Sequence, residues 1–165
     1  MNTNENQSHS GRLIDIIMDI PFFDKLNGRE LATVAKYVNY YEISKGEVLF
    51  KEGDPGDSVC FVVKGTLDVY KKSSTPGKQV KIASVTQNRS IGEMAVIDEY
   101  TRSATVKALS DACIVSLTKS GFDALLQENP KIGAAILKKI ATLVSMNLRS
   151  TSSRLADYIN ILPIA

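Results

Sequence analysis

The sequence predicts an α+β protein, mainly β, with helices at both ends and an antiparallel sandwich or barrel between them. Three observations carry this. Apolar residues recur at helical spacing before residue 39 and after residue 118. Short β-branched and aromatic runs, divided by turn signals, fill the stretch between. The 165 residues, 44% hydrophobic and 23% charged, form one ordinary globular domain with enough chain to bury a core.

Residues 1–11, MNTNENQSHSG, are polar and are expected to form a disordered tail, with no secretory signal. That leaves 12–162 as a single domain, its β portion at about 39–118 and a hinge and helices at about 119–162. Leu13, Ile16, Ile17 and Ile20 give the first helical stripe, which Pro21 interrupts. Asn27 is placed to cap a second helix, with Glu30 in the capping-box position and Leu31, Val34, Ala35 and Val38 as its apolar side. The β runs are VNYYEI, EVLF, SVCFVVKG, TLDVYKK, QVKIASV, SATVKAL and ACIVSL. Pro76-Gly77 between two of them marks a hairpin. Thr118 or Ser120 starts a short helix, FDALLQEN, and Asn129-Pro130 ends it and opens a long final helix to about residue 161.

The final helix carries two stripes. Ile132, Ile136, Ile140 and Leu143 form one. Leu137, Ala141, Val144, Leu148, Thr151, Leu155, Tyr158 and Leu162 form the other, at alternating steps of four and three, which is a heptad seam. The first stripe already provides for packing on the β portion. The second is therefore read as a homodimer interface in preference to more internal packing.

Composition excludes several classes. A net charge of +2 gives no electrostatic case for nucleic acid or an anionic membrane. No apolar run is long enough to span a bilayer, and a soluble, cytoplasmic protein is expected. Cys60 and Cys113 sit in apolar surroundings and are read as buried free thiols over a disulfide. The sole histidine, His9, lies in the polar N-terminal segment, and no Cys/His cluster has metal spacing, so neither a metal nor a catalytic triad is expected.

The chemistry concentrates in residues 91–106, IGEMAVIDEYTRSATV. Gly92 lets backbone approach a ligand closely. A helical turn after it aims backbone N–H groups at an anion. Arg102 offers a planar, permanently charged fork for phosphate oxygens. Glu93, an acceptor when ionised, suits a sugar hydroxyl. Without a ligand both charges would stand unpaired in a partly closed pocket, unless Arg102 pairs with Glu93 or Asp98.

Three stretches in order, IPFFDKLNGRELATVAKYV, YEISKGEVLFKEGDPGDSVCFVVKGTLDVY and IGEMAVIDEYTRSATV, closely resemble the cyclic nucleotide-binding domain of catabolite activator proteins, cyclic nucleotide-dependent kinases and gated channels. The resemblance covers residues 18–158 and implies an antiparallel β-roll (jelly-roll-like, a double-stranded β-helix) flanked by an N-terminal helical bundle and the long C-terminal helix. It assigns Glu93 to a ribose 2′-hydroxyl and Arg102 to the exocyclic oxygens of a cyclic phosphate. Backbone at Gly92, Met94 and Ala95 would cap that phosphate, and Ser103 and Ala104 would line the pocket. Thr101 stands where kinases place a proline. Base contacts would come from the final helix, at Asn147, Leu148, Thr151 and Ser152. Thr151-Ser152 is similar to the pair that meets adenine in catabolite activators, while Ser103 is compatible with either base. The implied ligand is cAMP, with cGMP open, and no cofactor.

The expected role is that of a receptor, not an enzyme. Ligand would move the final helix and signal to an unknown effector protein, and with nothing after Ala165 direct DNA binding is not expected. The alternatives are a ligand-free dimerisation or scaffold module and a sensor of another cyclic nucleotide or dinucleotide.

Overall fold

The computed structural model describes residues 3–98 and 100–161. Helix α1 (Thr3–Met18) leads through a 3-10 turn at Pro21–Phe23 into α2 (Gly28–Val34). Eight strands follow: β1 (Val38–Ile43), β2 (Val48–Phe50), β3 (Ser58–Lys64), β4 (Thr66–Lys72), β5 (Gln79–Thr86), β6 (Ser90–Ile91), β7 (Thr105–Ala108) and β8 (Ala112–Thr118). The short α3 (Ala95–Asp98) lies between β6 and β7, and α4 (Lys119–Glu128) and α5 (Pro130–Ile161) close the chain.

Local chemistry accounts for most boundaries. The Asn27 side chain accepts from the amides of Arg29 and Glu30 at 3.0 and 3.1 Å, and Glu30 returns the bond to the Asn27 amide at 2.9 Å. That reciprocal cap starts α2 where the sequence places it. Thr118 caps α4 through the Gly121 amide, 3.0 Å away. At the Pro76-Gly77 hairpin Gly77 takes a φ of 77° and the Ser73 amide bonds the Lys78 carbonyl at 2.9 Å. The N-terminal expectation needs correction. Residues 3–11, read as tail, belong to α1. No proline interrupts them, and extending a helix already nucleated at the Leu13–Ile17 stripe costs far less than starting one. Strand β6, too short to register as a run, pairs with β3 through Cys60–Ile91 and Phe61–Ser90.

The strands form two antiparallel four-stranded sheets, ordered β1-β8-β3-β6 and β2-β7-β4-β5. This is the expected α+β architecture with a β-roll. The central strands of the first sheet, β3 and β8, are buried on both faces. Val59, Phe61, Val115 and Leu117 face a helical core shared with α1, α2, α4 and α5, while Cys60, Val62, Ala112 and Ile114 face the interior of the roll with Leu67, Val69 and Val106. Strands buried on both sides read as continuous apolar runs, which is why SVCFVVK and ACIVSL lack the alternation of a one-sided strand. Phe22, Phe23 and Phe61 meet at centroid separations of 4.7–5.2 Å, so the turn after α1 plugs directly onto β3.

On α5, Ile132, Ile136 and Ile140 are buried in the helical core and Leu143 packs against it. Of the heptad seam, Val144 also packs on this core, whereas Leu137, Leu148, Leu155 and Tyr158 are exposed. Leu162 lies outside the described residues. Both cysteines are free, Cys60 buried and Cys113 half-buried.

Candidate ligand-binding site

The segment from β6 to β7 lies on the rim of the roll, clamped to the glycine-rich turn before β3. The Arg102 amide donates to the Asp54 carbonyl at 2.8 Å and the Gly53 amide donates to the Arg102 carbonyl at 2.9 Å. Gly56 permits this closeness, since a Cβ there would stand 2.5 Å from the Tyr100 carbonyl oxygen and 2.6 Å from the Ala95 Cβ. Gly92 leaves β6 at φ 80°, and a Cβ on it would collide with Arg102 Nη1 and sit 3.0 Å from the Ser58 carbonyl oxygen. Only glycine leaves room for the guanidinium beside the backbone here.

Arg102 is 5% exposed. Its Nη1 donates to the Ser58 carbonyl at 2.7 Å, and its Nη2 to Asp57 Oδ1 at 2.9 Å and Ser58 Oγ at 3.0 Å. The guanidinium carbon lies 4.1 Å from the centroid of the Phe50 ring. Its Nε is buried and, among the described residues, has no hydrogen-bond partner. The carboxylate that meets Arg102 is therefore Asp57, not Glu93 or Asp98. Asp57, Ser58 and Phe50 were not expected as its neighbours. The one local sign was that Asp57 follows Gly56 in a turn rich in glycine, but 45 residues separate it from Arg102.

Glu93 is 9% exposed, and its Oε1 accepts from Asn147 Nδ2 at 2.5 Å, across 54 residues of chain. The expectation that both charges stand unpaired unless Arg102 meets Glu93 or Asp98 is thus corrected: Arg102 has Asp57 and Ser58 and Glu93 has Asn147, and Arg102 Nε is the buried side-chain polar atom left over among the described residues. Met94 is exposed, and the Ala95 amide is turned back onto the Gly92 carbonyl at 3.2 Å. The side chain of Lys71 donates to the Ser103 carbonyl at 2.5 Å and pairs with Glu52 Oε1 at 3.0 Å. The Lys72 amide and Lys71 together hold the Glu52 carboxyl below its ordinary value. Beneath β6, burial pushes the Cys60 thiol up, and burial next to Cys60 does the same to the Tyr41 phenol, whose oxygen is 3.6 Å from Cys60 Sγ.

Two cavities open here. The inner one, of about 170 Å³, is lined by all of the candidates from the 91–106 segment, the cassette: Gly92, Glu93, Met94, Ala95, Arg102, Ser103 and Ala104. The outer one, of about 520 Å³, lies between the roll and α5 and shares Val69, Ile91 and Glu93 with the inner one. Of the four helix candidates, all of them exposed, Asn147 and Thr151 line the outer cavity, while Leu148 and Ser152 do not. Positions four apart share one helix face, and 148 and 152 are turned about 100° from it. The arrangement can hold an anion against a guanidinium and a hydroxyl against a carboxylate. Among the described residues no cluster could hold a metal ion. No described helix is long and apolar enough to cross a membrane.

The model of the cyclic nucleotide-binding domain matches residues 41–129, more than half of the chain. A lysophospholipase NTE1 of Chaetomium globosum is 34% identical over 105 residues, 64% of this chain, but the chain spans only 7% of that protein. Among solved structures, a cyclic nucleotide-binding domain from Methylobacillus flagellatus superposes with a TM-score of 0.79 at 26% identity, covering 92% of this chain and 84% of that one. The regulatory subunit of a cAMP-independent protein kinase A from Trypanosoma brucei shares the fold, with a TM-score of 0.73 at 18% identity over 92% of this chain and 53% of its own.

Proposed function

Because the chain belongs to the cyclic nucleotide-binding domain family, a regulatory and not an enzymatic one, we propose that it is a cyclic nucleotide receptor that prefers cAMP to cGMP. In this reading Arg102 binds the exocyclic phosphate oxygens and Glu93 the ribose 2′-hydroxyl. The observation that carries it is the buried Arg102 at the wall of the inner cavity, with one donor, Nε, unpartnered. A buried guanidinium with a spare donor is costly, and an anionic acceptor offsets that cost. The preference for adenine rests on the Thr151 side chain at the outer cavity.

Signalling runs through Glu93. A ribose hydroxyl competes with Asn147 for the same carboxylate, so ligand binding releases or redirects α5 at that contact. The exposed seam of Leu137, Leu148, Leu155 and Tyr158 then presents the change to a second copy of the chain, and through the dimer to an effector protein. Calorimetry with cAMP and cGMP tests the core of this reading. Arg102→Ala should weaken cAMP binding roughly 10- to 100-fold, as expected for lost charge-assisted bonds. No heat with either nucleotide on the unaltered protein would sink it.

One observation favours a second reading, a ligand-independent scaffold: Arg102 is already engaged by Asp57 and Ser58. The Trypanosoma relative described as cAMP-independent keeps the same fold. Under that reading Arg102→Ala lowers stability and leaves nothing to measure by calorimetry.

A further inference from the structure

The outer cavity is larger than the inner one and carries a different charge. Its lining includes three cations, Arg89, Lys139 and Arg154, against two carboxylates, Asp24 and Glu93. Both carboxylates are engaged, Asp24 by Lys139 at 2.8 Å and Glu93 by Asn147. Arg89 and Arg154 have no ion-pair partner among the described residues. A nucleobase is uncharged and needs stacking surface and hydrogen bonds, so it gives two guanidinium groups nothing to neutralise.

Arg89 is also held in place. Its amide donates to Thr86 and its carbonyl accepts from the Val62 amide at 2.9 Å, while Asn88 before it turns with φ 67° and bonds the Val62 carbonyl at 2.8 Å. Arg154 lies two helical turns beyond Asn147, about 10 Å along the axis, a span wider than one sugar ring. Ser150 and Thr151, two hydroxyl-bearing residues, line the same cavity. Guanidinium forks with hydroxyl donors are the chemistry that receives a phosphate.

We propose that Arg89 and Arg154 form a second anion subsite in the outer cavity, which takes the second phosphate of a cyclic dinucleotide whose first phosphate lies at Arg102. The proposal rests on the cassette reading above and adds a ligand class to it. Cyclic dinucleotides gain over cyclic mononucleotides the ion pairs that the outer wall supplies, and cAMP occupies only the inner subsite and the near edge of the outer one.

The test is equilibrium binding of cyclic di-GMP and cAMP to the full chain, to Arg89→Ala with Arg154→Ala, and to Arg102→Ala. Both arginines of the double variant are exposed, so it should fold, which circular dichroism checks. Cyclic di-GMP should bind the unaltered chain, lose at least roughly tenfold in affinity in the double variant, and weaken more steeply with salt than cAMP does, while cAMP affinity stays unchanged. If cyclic di-GMP fails to bind, or the double variant leaves its affinity intact or lowers both ligands alike, the second subsite is overturned. In that case Arg102-dependent cAMP binding still upholds the receptor reading. Binding of neither nucleotide removes both.

Discussion

The proximal half of α5 sinks Ile132, Ile136 and Ile140 into the helical core, whereas the distal half leaves Met146, Leu148, Leu155, Tyr158 and Ile159 exposed. Both sides carry large apolar residues at helical spacing, so that pattern alone does not separate them. The difference lies in what stands opposite. Residues 130–144 pack on α4 and place their apolar side chains in the helical core, while the distal half runs past the end of that core. Asn147, the residue that touches Glu93, falls at the boundary. One half of the helix holds the fold together, and the other leaves its apolar residues uncovered.

Substitutions on the two halves should behave accordingly. The largest effect is expected at Ile140, which is fully buried. Ile140→Ala should cost about 2–5 kcal/mol in urea unfolding, and a loss under about 1 kcal/mol would mean that the proximal half is not anchored as described. Asn147→Ala at the boundary should cost about 1 kcal/mol and raise amide exchange in the distal half, because the bond to Glu93 is its tie to the roll. Leu155→Ala with Tyr158→Ala should change unfolding free energy by less than about 0.5 kcal/mol and abolish concentration-dependent self-association in sedimentation. A chain that stays monomeric at high concentration with cAMP present would break the contrast, since the distal seam would then have no homodimer to serve.

The smallest effect is on pH dependence. The hydrogen bond from Lys139 holds the Asp24 carboxyl below its ordinary value of 3.8, at an exposed contact joining α5 to the turn after α1. A depressed carboxyl contributes its stability above the ordinary range and loses it as the pH falls through the lowered value. The difference in thermal midpoint between the unaltered protein and Asp24→Asn should therefore be small and constant above about pH 5 and vanish on acidification.

Much of this was legible in the sequence where the determinant is local. The Asn27–Glu30 box, the Asn129-Pro130 break and the Pro76-Gly77 hairpin are set by neighbours within a few residues, and the structure keeps them. The cassette candidates line one cavity because they share one loop. What was not legible depends on chain brought from far away. Nothing near Arg102 names Asp57 or Ser58 as its partners, and nothing near Glu93 names Asn147. The four polar and apolar positions on α5 could be sorted only once the roll fixed which face of the helix looks inward, which admits 147 and 151 and turns 148 and 152 away. The heptad seam illustrates the same limit: spacing identifies a stripe, but not that Val144 is spent on the chain's own core.

Strand β3 is a wall shared by two rooms. Its odd residues hold up the helical core through Val59 and Phe61, its even residues hold up the roll through Cys60 and Val62, and its first carbonyl, on Ser58, receives Arg102. Flanked by β8 on one edge and β6 on the other, it cannot detach without emptying both rooms at once. Its amides should therefore be among the last in the molecule to exchange with solvent, opening only with global unfolding. The floor beneath the guanidinium is then among the least yielding parts of the protein.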